Sequence, residues 1–184
     1  MALNYLSGTL PTSIGSLSWT TDLAIGKNKL TGTIPLQVVN MTMLQLFKFA
    51  GNYFTGLIPS VMFTMPTLRI CFLNSNQLTG TVPTTLTSHS GLEELNINEN
   101  YLTGTIPKDI GHCSSMARLG LSGNKLTGAL PSSISTLTGL QYLYLAANKV
   151  TAPCGPAHLL SHWTGAGKAK LGRPALSSGR YHNV

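Results

Sequence analysis

Few side chains able to do acid–base chemistry occur in this chain of 184 residues. Its acids are Asp22, Glu93, Glu94, Glu99 and Asp109. A hydrolytic or group-transfer reaction needs an acid, a base and a nucleophile that meet in one place. His89 and His112 are predicted on turns and not on the strands that carry most of the acids, so such a set has no meeting place. We therefore expect no catalytic residues and a protein that is not an enzyme.

Two short segments near the C-terminus contain residue types that bind metals or phosphates. Cys154, His158 and His162 have a spacing that a metal could use on a helix, but the Gly-Pro pair directly after the cysteine opposes a helix there. The run Gly-Ala-Gly-Lys at 165–168 resembles part of a phosphate-binding loop. An alanine follows the lysine, however, where a Ser or Thr should bind magnesium. We expect neither a metal nor a cofactor.

An asparagine recurs every 24 residues along most of the chain, a regularity that ordinary globular sequences lack. These asparagines are Asn4, Asn28, Asn52, Asn76, Asn100, Asn124 and Asn148. Apolar residues stand five and three positions before them, a glycine stands four positions after most of them, and Leu, Ile or Val followed by proline comes next. The period predicts a stack of short structural units, and the asparagines form what we call the asparagine ladder.

The run L-x-x-L-x-L-x-x-N-x-L-x-G-x-I-P, present at 92–107, resembles the leucine-rich repeat of the plant-specific type. This resemblance implies an α/β-type solenoid with short parallel β-strands on a concave face and with turns and 3₁₀ segments on a convex face. Family members are typically extracellular recognition modules, among them receptor-like kinase ectodomains, receptor-like proteins and polygalacturonase-inhibiting proteins. The resemblance therefore implies an extracellular or cell-surface location.

The residue types at each position of the unit agree with a solenoid on physical grounds. Alternating apolar positions, such as Leu95 and Ile97, predict a strand with one buried face, and stacked strands would pair at about 4.8 Å. The asparagine amide offers an acceptor and donors, so it could satisfy backbone groups where the chain leaves the strand. The proline is predicted to end a second extended stretch, and the glycine is predicted to point inward, where a side chain has little room.

The repeat pattern stops at residue 151, and a segment of different composition follows. Residues 1–151 hold eight basic and five acidic side chains, whereas residues 152–184 hold Lys168, Lys170, Arg173 and Arg180 and no acid. We predict one solenoid over 1–151 and a basic, irregular or disordered tail over 152–184 that partly caps the last unit. The first unit lacks its strand and no signal peptide precedes it, so the pattern suggests a fragment of a longer protein.

Three further predictions concern single sites and the membrane. Cys71 and Cys113 stand at apolar positions of the unit and are predicted to be buried thiols. Asn40 begins the sequon Asn-Met-Thr and is a candidate glycosylation site on a convex turn. No run of 18 apolar residues predicts a membrane-spanning segment.

The outward positions of the predicted strands form the first candidate ligand-binding surface. They combine aliphatic, aromatic and charged side chains, and exposed clusters of this kind mark partner surfaces. The predicted site consists of Leu46, Lys48, Ile70, Phe72, Glu94, Asn96, Arg118, Tyr142 and Tyr144. We therefore predict a non-enzymatic recognition module that binds a peptide, a protein or a polysaccharide on its concave face, as part of a receptor-like or inhibitor-like protein.

Threonines on both sides of the repeated glycine form a second candidate surface. They include Thr9, Thr31, Thr33, Thr79, Thr81, Thr103 and Thr105. In a flat sheet their hydroxyls would be about 6.7 Å apart within a unit and about 4.8 Å apart between units. Such a grid resembles the ice-binding faces of repeat antifreeze proteins, so ice binding is the alternative function.

The net charge of +7 could also suggest a nucleic acid partner. More than half of that charge, however, comes from the four cations of residues 152–184. Moreover, no stripe of aromatic and basic residues is expected to accompany this charge. We therefore expect no nucleic acid partner.

Overall fold

Strands of three residues make up most of the regular structure in the computed structural model, which describes residues 5–151 and 168–170. In chain order they are β1 (Ser7–Thr9), β2 (Asp22–Ala24), β3 (Lys29–Thr31), β4 (Leu46–Lys48), β5 (Thr55–Leu57), β6 (Ile70–Phe72), β7 (Gln77–Thr79), β8 (Glu94–Asn96), β9 (Arg118–Gly120), β10 (Thr127–Ala129), β11 (Tyr142–Tyr144), β12 (Lys149–Thr151) and β13 (Lys168–Lys170). Each full unit of the described repeats contributes a strand before its ladder asparagine.

Those strands form one parallel sheet in the order β13-β11-β9-β8-β6-β4-β2. Between β2 and β11 its register advances by one full repeat per strand, as in the pairs Leu46↔Ile70 and Ile70↔Glu94. Side chains at the same position of successive units therefore stand next to each other. This confirms the parallel strands that the 24-residue period predicts.

The strands that follow the asparagines form a second, shorter ladder on another side of the unit. Strands β1, β5 and β10 pair in parallel with β3, β7 and β12, and bridges such as Thr33↔Thr55 and Thr81↔Thr103 continue the ladder between these pairs. Its register advances by 22 residues, because Thr9 lies opposite Thr31. Each unit is thus offset by two residues along the strand relative to the unit before it. The threonine grid expected from the sequence, with equivalent hydroxyls about 4.8 Å apart between units, is therefore wrong.

Convex 3₁₀ segments connect the units. They are η1 (Thr12–Ser16), η2 (Leu36–Asn40), η3 (Ser60–Thr64), η4 (Thr84–Ser88), η5 (Ile110–His112) and η6 (Ser132–Thr136). A proline directly precedes each of them except η5, where Pro107 accepts a hydrogen bond from the N–H of Ile110 at 3.1 Å. Proline fixes φ and has no N–H, so it suits the start of such a turn and ends the extended stretch as predicted.

The apolar positions of all units merge into one continuous core. Its centre holds Phe47, Phe49 and Phe54, which are fully buried, with the ring centroids of Phe47 and Phe49 at 3.8 Å and those of Phe49 and Phe54 at 5.3 Å. One unit cannot bury such a face alone, and stacking lets neighbouring units cover each other. Cys71 and Cys113 lie in this core, and burial raises their thiol pKa to about 12 and about 11, respectively.

The asparagine ladder lies along the edge of this core and bonds each unit to the one before it. The Nδ2 of Asn100 donates to the carbonyls of Ile97 in its own unit at 3.2 Å and of Leu73 in the preceding unit at 3.0 Å. Its Oδ1 accepts the N–H of Leu78 at 3.0 Å. Asn52, Asn76, Asn124 and Asn148 make the same set of bonds. The predicted role of the ladder is confirmed.

The repeated glycine has a different role from the predicted one. Gly32, Gly56 and Gly104 are half-buried and have φ near +77°, a conformation that side chains rarely adopt. A Cβ added at Gly104 would stand 2.9 Å from the Cγ2 of Thr81 in the preceding unit. The glycine is therefore required by its backbone conformation and by the neighbouring threonine, which confirms the predicted lack of room for a side chain, although the glycine is half-buried and does not lie in the core.

Several predictions concern residues at or beyond the ends of the described part. The proposed metal ligands Cys154, His158 and His162 and most of the tail over 152–184 lie outside the described residues. Strand β13 belongs to that tail, and its backbone pairs in parallel with β11, with Lys168 opposite Tyr142. These three residues are extended, and the irregular or disordered tail over 152–184 stays a prediction.

Candidate functional site

The concave sheet brings the predicted ligand-binding residues together in two files. The first file contains Leu46, Ile70, Glu94, Arg118 and Tyr142, and the second contains Lys48, Phe72, Asn96, Gly120 and Tyr144. The strand residues between the two files, such as Cys71 and Leu95, point into the core and are buried. Alternation along each strand thus leaves the side chains of both files on the concave surface, as the period of two predicts, while Gly120 is buried between its neighbours.

A depression of about 420 Å³ lies at the end of these files nearer the C-terminus. Its lining consists of Phe72, Glu94, Leu95, Asn96, Asn98, Arg118, Gly120, Tyr142 and Tyr144. Six of these residues were predicted, whereas Leu46, Lys48 and Ile70 stand on the same sheet outside the depression. The predicted surface therefore divides into a hollow lined by aromatic and polar side chains and an apolar and basic shoulder.

Gly120 makes the hollow because its neighbours in the second file all carry side chains. A Cβ at this position would lie 2.9 Å from Asn96 Oδ1 and 3.0 Å from both amide atoms of Asn98. Asn98 leans over the glycine, and its Oδ1 accepts the N–H of Ser122 at 2.7 Å. Sequence reasoning missed both residues. A glycine among larger residues in the second file could have indicated the hollow, because a residue without a side chain leaves a gap between its neighbours.

Charged and aromatic groups organise the wall of the hollow. The guanidinium of Arg118 lies 4.8 Å from the ring centroid of Tyr142 and 3.4 Å from Glu94 Oε1. The rings of Tyr142 and Tyr144 are nearly parallel, with an interplanar angle of 4° and centroids 6.3 Å apart. These contacts restrict the side-chain conformations of Arg118, Tyr142 and Tyr144 on the concave sheet. The hollow thus presents flat aromatic faces, amide groups and one carboxylate to a ligand.

His89 is a buried titratable group that lies outside the concave hollow. It follows η4, is 5% exposed, and its Nε2 has no hydrogen-bond partner among the residues that the structure describes. Burial lowers the pKa of its imidazole below the ordinary value of 6.5, against the opposing effect of the carbonyls of Leu68 and Met65. It does not line the concave hollow, so it offers no base to a ligand there.

The predicted ice-binding threonines are exposed, but their side chains also hold the repeats together. The Oγ1 of Thr31, Thr79 and Thr103 donates to the glycine carbonyl of the preceding unit at 3.2 to 3.3 Å. The methyl groups of Thr9, Thr33, Thr81 and Thr105 pack against the glycine of the following unit. Both files therefore have a structural explanation that needs no ligand.

A groove of about 990 Å³ runs beside these threonines, between the second ladder and the first 3₁₀ segments. Leu36 and Leu57 lie along it and are 61% and 66% exposed. Leu57 stands at the position that Thr33 and Thr81 hold in the neighbouring units. The threonine surface is thus interrupted by an aliphatic side chain.

The structure also shows a third surface, formed by the residue that directly follows each ladder asparagine. We call it the aromatic–basic file, and it consists of Tyr5, Lys29, Tyr53, Gln77, Tyr101, Lys125 and Lys149. The Nζ of Lys29 and of Lys125 each lie 5.1 Å from the ring centroid of the tyrosine in the preceding unit. The expectation that no aromatic and basic stripe exists is therefore wrong. The 24-residue period could have revealed it.

The remaining site predictions can be placed within the part of the chain that the structure describes. There, no cluster of three or more His, Cys, Asp or Glu could hold a metal ion, and no helix is long and apolar enough to cross a membrane. Asn40 is exposed at the end of η2, with Met41 buried after it. Glycosylation of Asn40 stays a prediction.

The repeats and their geometry define a class of protein. Residues 66–126 and 90–150 match the family model described as leucine rich repeat. The solenoid of parallel strands and 3₁₀ segments is the fold of that family. The chain therefore belongs to the leucine-rich repeat family, and its repeats are of the plant-specific type. No curated protein sequence is significantly similar to it.

Solved structures of plant receptors are similar to this chain. The plant peptide hormone receptor RGFR1 in complex with RGF2 is 34% identical, with a TM-score of 0.79 over 82% of this chain and 24% of that chain. The Arabidopsis receptor kinase HAESA, in complex with the peptide hormone IDA and the co-receptor SERK1, is 25% identical, with a TM-score of 0.84 over 91% of this chain and 28% of that chain. The chain thus spans about a quarter of the length of these receptors.

A plant ice-binding protein is similar as well. It is 29% identical, with a TM-score of 0.72 over 79% of this chain and 46% of that chain. The same repeat architecture therefore occurs in plant proteins of different function, and the architecture alone does not distinguish between them.

Proposed function

We propose that this chain is the ligand-binding part of an extracellular leucine-rich repeat protein, receptor-like or inhibitor-like, whose concave hollow binds a peptide or a protein segment. The observation that carries the proposal is the depression over Gly120, whose walls combine Tyr142, Tyr144 and Phe72 with amide and carboxylate groups. Pockets that combine aromatic walls with a few polar groups suit a ligand side chain and the neighbouring backbone amides. The peptide hormones bound by RGFR1 and HAESA support this ligand class.

Recognition would depend on side chains, because the sheet uses its own backbone groups in strand pairing. An apolar ligand side chain would sit between the rings of Phe72 and Tyr144, above the amides of Asn96 and Asn98 that cover Gly120. The amides of Asn96 and Asn98 would exchange hydrogen bonds with the ligand backbone, and Glu94 would favour a neighbouring cation. The shoulder at Leu46 and Ile70 would extend the contact, and a polysaccharide is the runner-up ligand for the same face.

Tyr144→Ala is expected to weaken peptide binding at least about tenfold, because it removes an aromatic wall of the hollow. Peptides would be selected from a random displayed library on the immobilised chain, and their affinity would be measured by isothermal titration calorimetry. Gly120→Leu displaces the Asn96 and Asn98 side chains into the hollow and should abolish binding, and thermal unfolding would verify that this variant folds.

Tyr53→Ala removes the same residue type from another surface and is the matched control. Peptides that keep their affinity for both the Tyr144→Ala and the Gly120→Leu variants would bind elsewhere, and the concave proposal would then be wrong.

Ice binding by the threonine files is a second candidate, favoured by the similarity to a plant ice-binding protein. The parent chain would then inhibit ice recrystallisation, and changing Thr33, Thr81 and Thr105 to lysine would abolish the inhibition, since bulky charges break the match to the ice lattice. Changing Phe72, Asn96 and Tyr144 to lysine is the control on the concave face. Ordinary ice growth in the presence of the parent chain removes this candidate.

A further inference from the structure

We infer that the aromatic–basic file and the threonines beside it form a second binding surface, which takes a linear polysaccharide that carries carboxylates. This inference does not depend on the concave site. It concerns the other ladder of strands, whose threonines bond neighbouring units and whose aromatic–basic file has no such bonding role in the fold.

The charge of the file favours an anionic partner. Lys29, Lys125 and Lys149 are exposed, and none of the seven positions of the file is acidic. Glu99 lies two residues before Tyr101, but its carboxylate accepts a hydrogen bond from Ser75 Oγ at 2.6 Å. A surface lined by one sign of charge attracts the opposite sign over the distance of a Debye length.

The tyrosines of the file favour a ligand made of rings. Tyr5, Tyr53 and Tyr101 are 71%, 49% and 50% exposed, although large aromatic side chains normally bury most of their surface. A phenol ring offers an apolar face for the C–H groups of a pyranose and a hydroxyl for its substituents. Lys29 and Lys125 stand over the rings of Tyr5 and Tyr101, so a stacking group and a cation alternate in neighbouring units.

The offset of the second ladder places hydroxyl groups next to the file. Its register sets Lys149 opposite Thr127, Gln77 opposite Thr55 and Lys29 opposite Ser7. The threonine hydroxyls donate their proton to a glycine carbonyl of the preceding unit, as Thr127 Oγ1 does to Gly104 at 3.2 Å. A hydroxyl that donates in this way keeps lone pairs that accept hydrogen bonds. The surface therefore combines acceptors for sugar hydroxyls with cations for carboxylates.

The spacing of the charges in the file suits a chain of sugars better than a nucleic acid. Successive members of the file stand on neighbouring strands and are offset by two residues along them, since Lys29 lies opposite Ser7 and not opposite Tyr5. A nucleic acid carries a charge on every phosphate and needs a continuous track of cations. Four repeats separate Lys29 from Lys125, with tyrosines and Gln77 between them. That sparse charge matches a polymer with uncharged groups between its anions.

Binding of an oligogalacturonate of defined length to the whole chain tests this inference. Changing Lys29 and Lys125 to glutamine is expected to weaken the affinity about fivefold, which corresponds to two exposed ion pairs. The control changes Arg69 and Lys108 to glutamine, has the same net charge, and should bind as the parent does. Tyr53→Ala leaves the charge unchanged and should weaken binding several-fold. All of these side chains are exposed, and thermal unfolding would verify that each variant folds.

Three outcomes would overturn the inference. Equal losses in the two charge variants would show attraction by net charge alone. A neutral oligosaccharide that binds as tightly as the oligogalacturonate would remove the role of the carboxylates. A single-stranded oligonucleotide that binds more tightly than the oligogalacturonate, with the same sensitivity to the file variant, would assign the surface to nucleic acid.

Discussion

Replacing Asn100 with leucine is expected to lower the free energy of unfolding by about 2 to 4 kcal/mol, because one buried N–H loses its partner and two buried carbonyls each lose one of two donors. The amide of Asn100 serves the N–H of Leu78 and the carbonyls of Leu73 and Ile97. Leucine has a similar size but neither a donor nor an acceptor, so the N–H of Leu78 would stay buried and unpaired, while the two carbonyls would keep only the bonds from Asn76 and Asn124. The midpoint of urea denaturation, followed by circular dichroism, measures the loss.

Asn40→Leu is the control for this prediction, since Asn40 is exposed and outside the ladder. Its effect should stay within about 0.5 kcal/mol. Equal midpoints for the two leucine variants would mean that the ladder bonds contribute little and that apolar stacking alone stabilises the solenoid. A broad or stepwise transition is also informative, because solenoids are stabilised by contacts between neighbouring units and can lose cooperativity.

Phe49→Ala is expected to destabilise the protein by about 3 to 5 kcal/mol, since it leaves a large cavity in the core. Phe49 is fully buried and lies between the rings of Phe47 and Phe54, so its loss also removes two aromatic contacts. Differential scanning calorimetry would show the lower melting temperature.

The matched variant is Phe72→Ala, which removes the same side chain from the concave face, where it is half-buried. It should destabilise the protein far less than Phe49→Ala but should weaken binding of the selected peptides. If both variants lowered the melting temperature equally, the division of this chain into core and concave positions would be wrong.

The 24-residue period made much of the fold predictable. Every unit packs against its neighbours in the same way. Once each position of one unit is assigned to the core, the concave face or the convex face, the assignment therefore holds for the other units. Leu95 and Phe72 could be placed in this way before any coordinates. His89 could have been placed as well, because Met65 and Cys113 hold the same position in neighbouring units and both are buried.

Features that depend on distances between units could not be predicted in the same way. The register of 22 residues in the second ladder depends on how the strands tilt, which a count of residues does not contain. The hollow over Gly120 depends on the neighbours Asn98 and Tyr144, which belong to other units. Outward residues also vary freely because the fold places little constraint on them, so the ligand-binding residues carry the weakest periodic signal.

The asparagine ladder has a direction. The bonds that Asn76, Asn100 and Asn124 make between units all go to the unit before them, and none goes to the unit after. Each unit is therefore completed by its successor, whose amide oxygen accepts the one N–H that the unit's own asparagine does not reach. A ribosome releases the N-terminal units first. During synthesis, the hydrogen bonds of each unit to the next asparagine can therefore form only after about one more repeat has emerged.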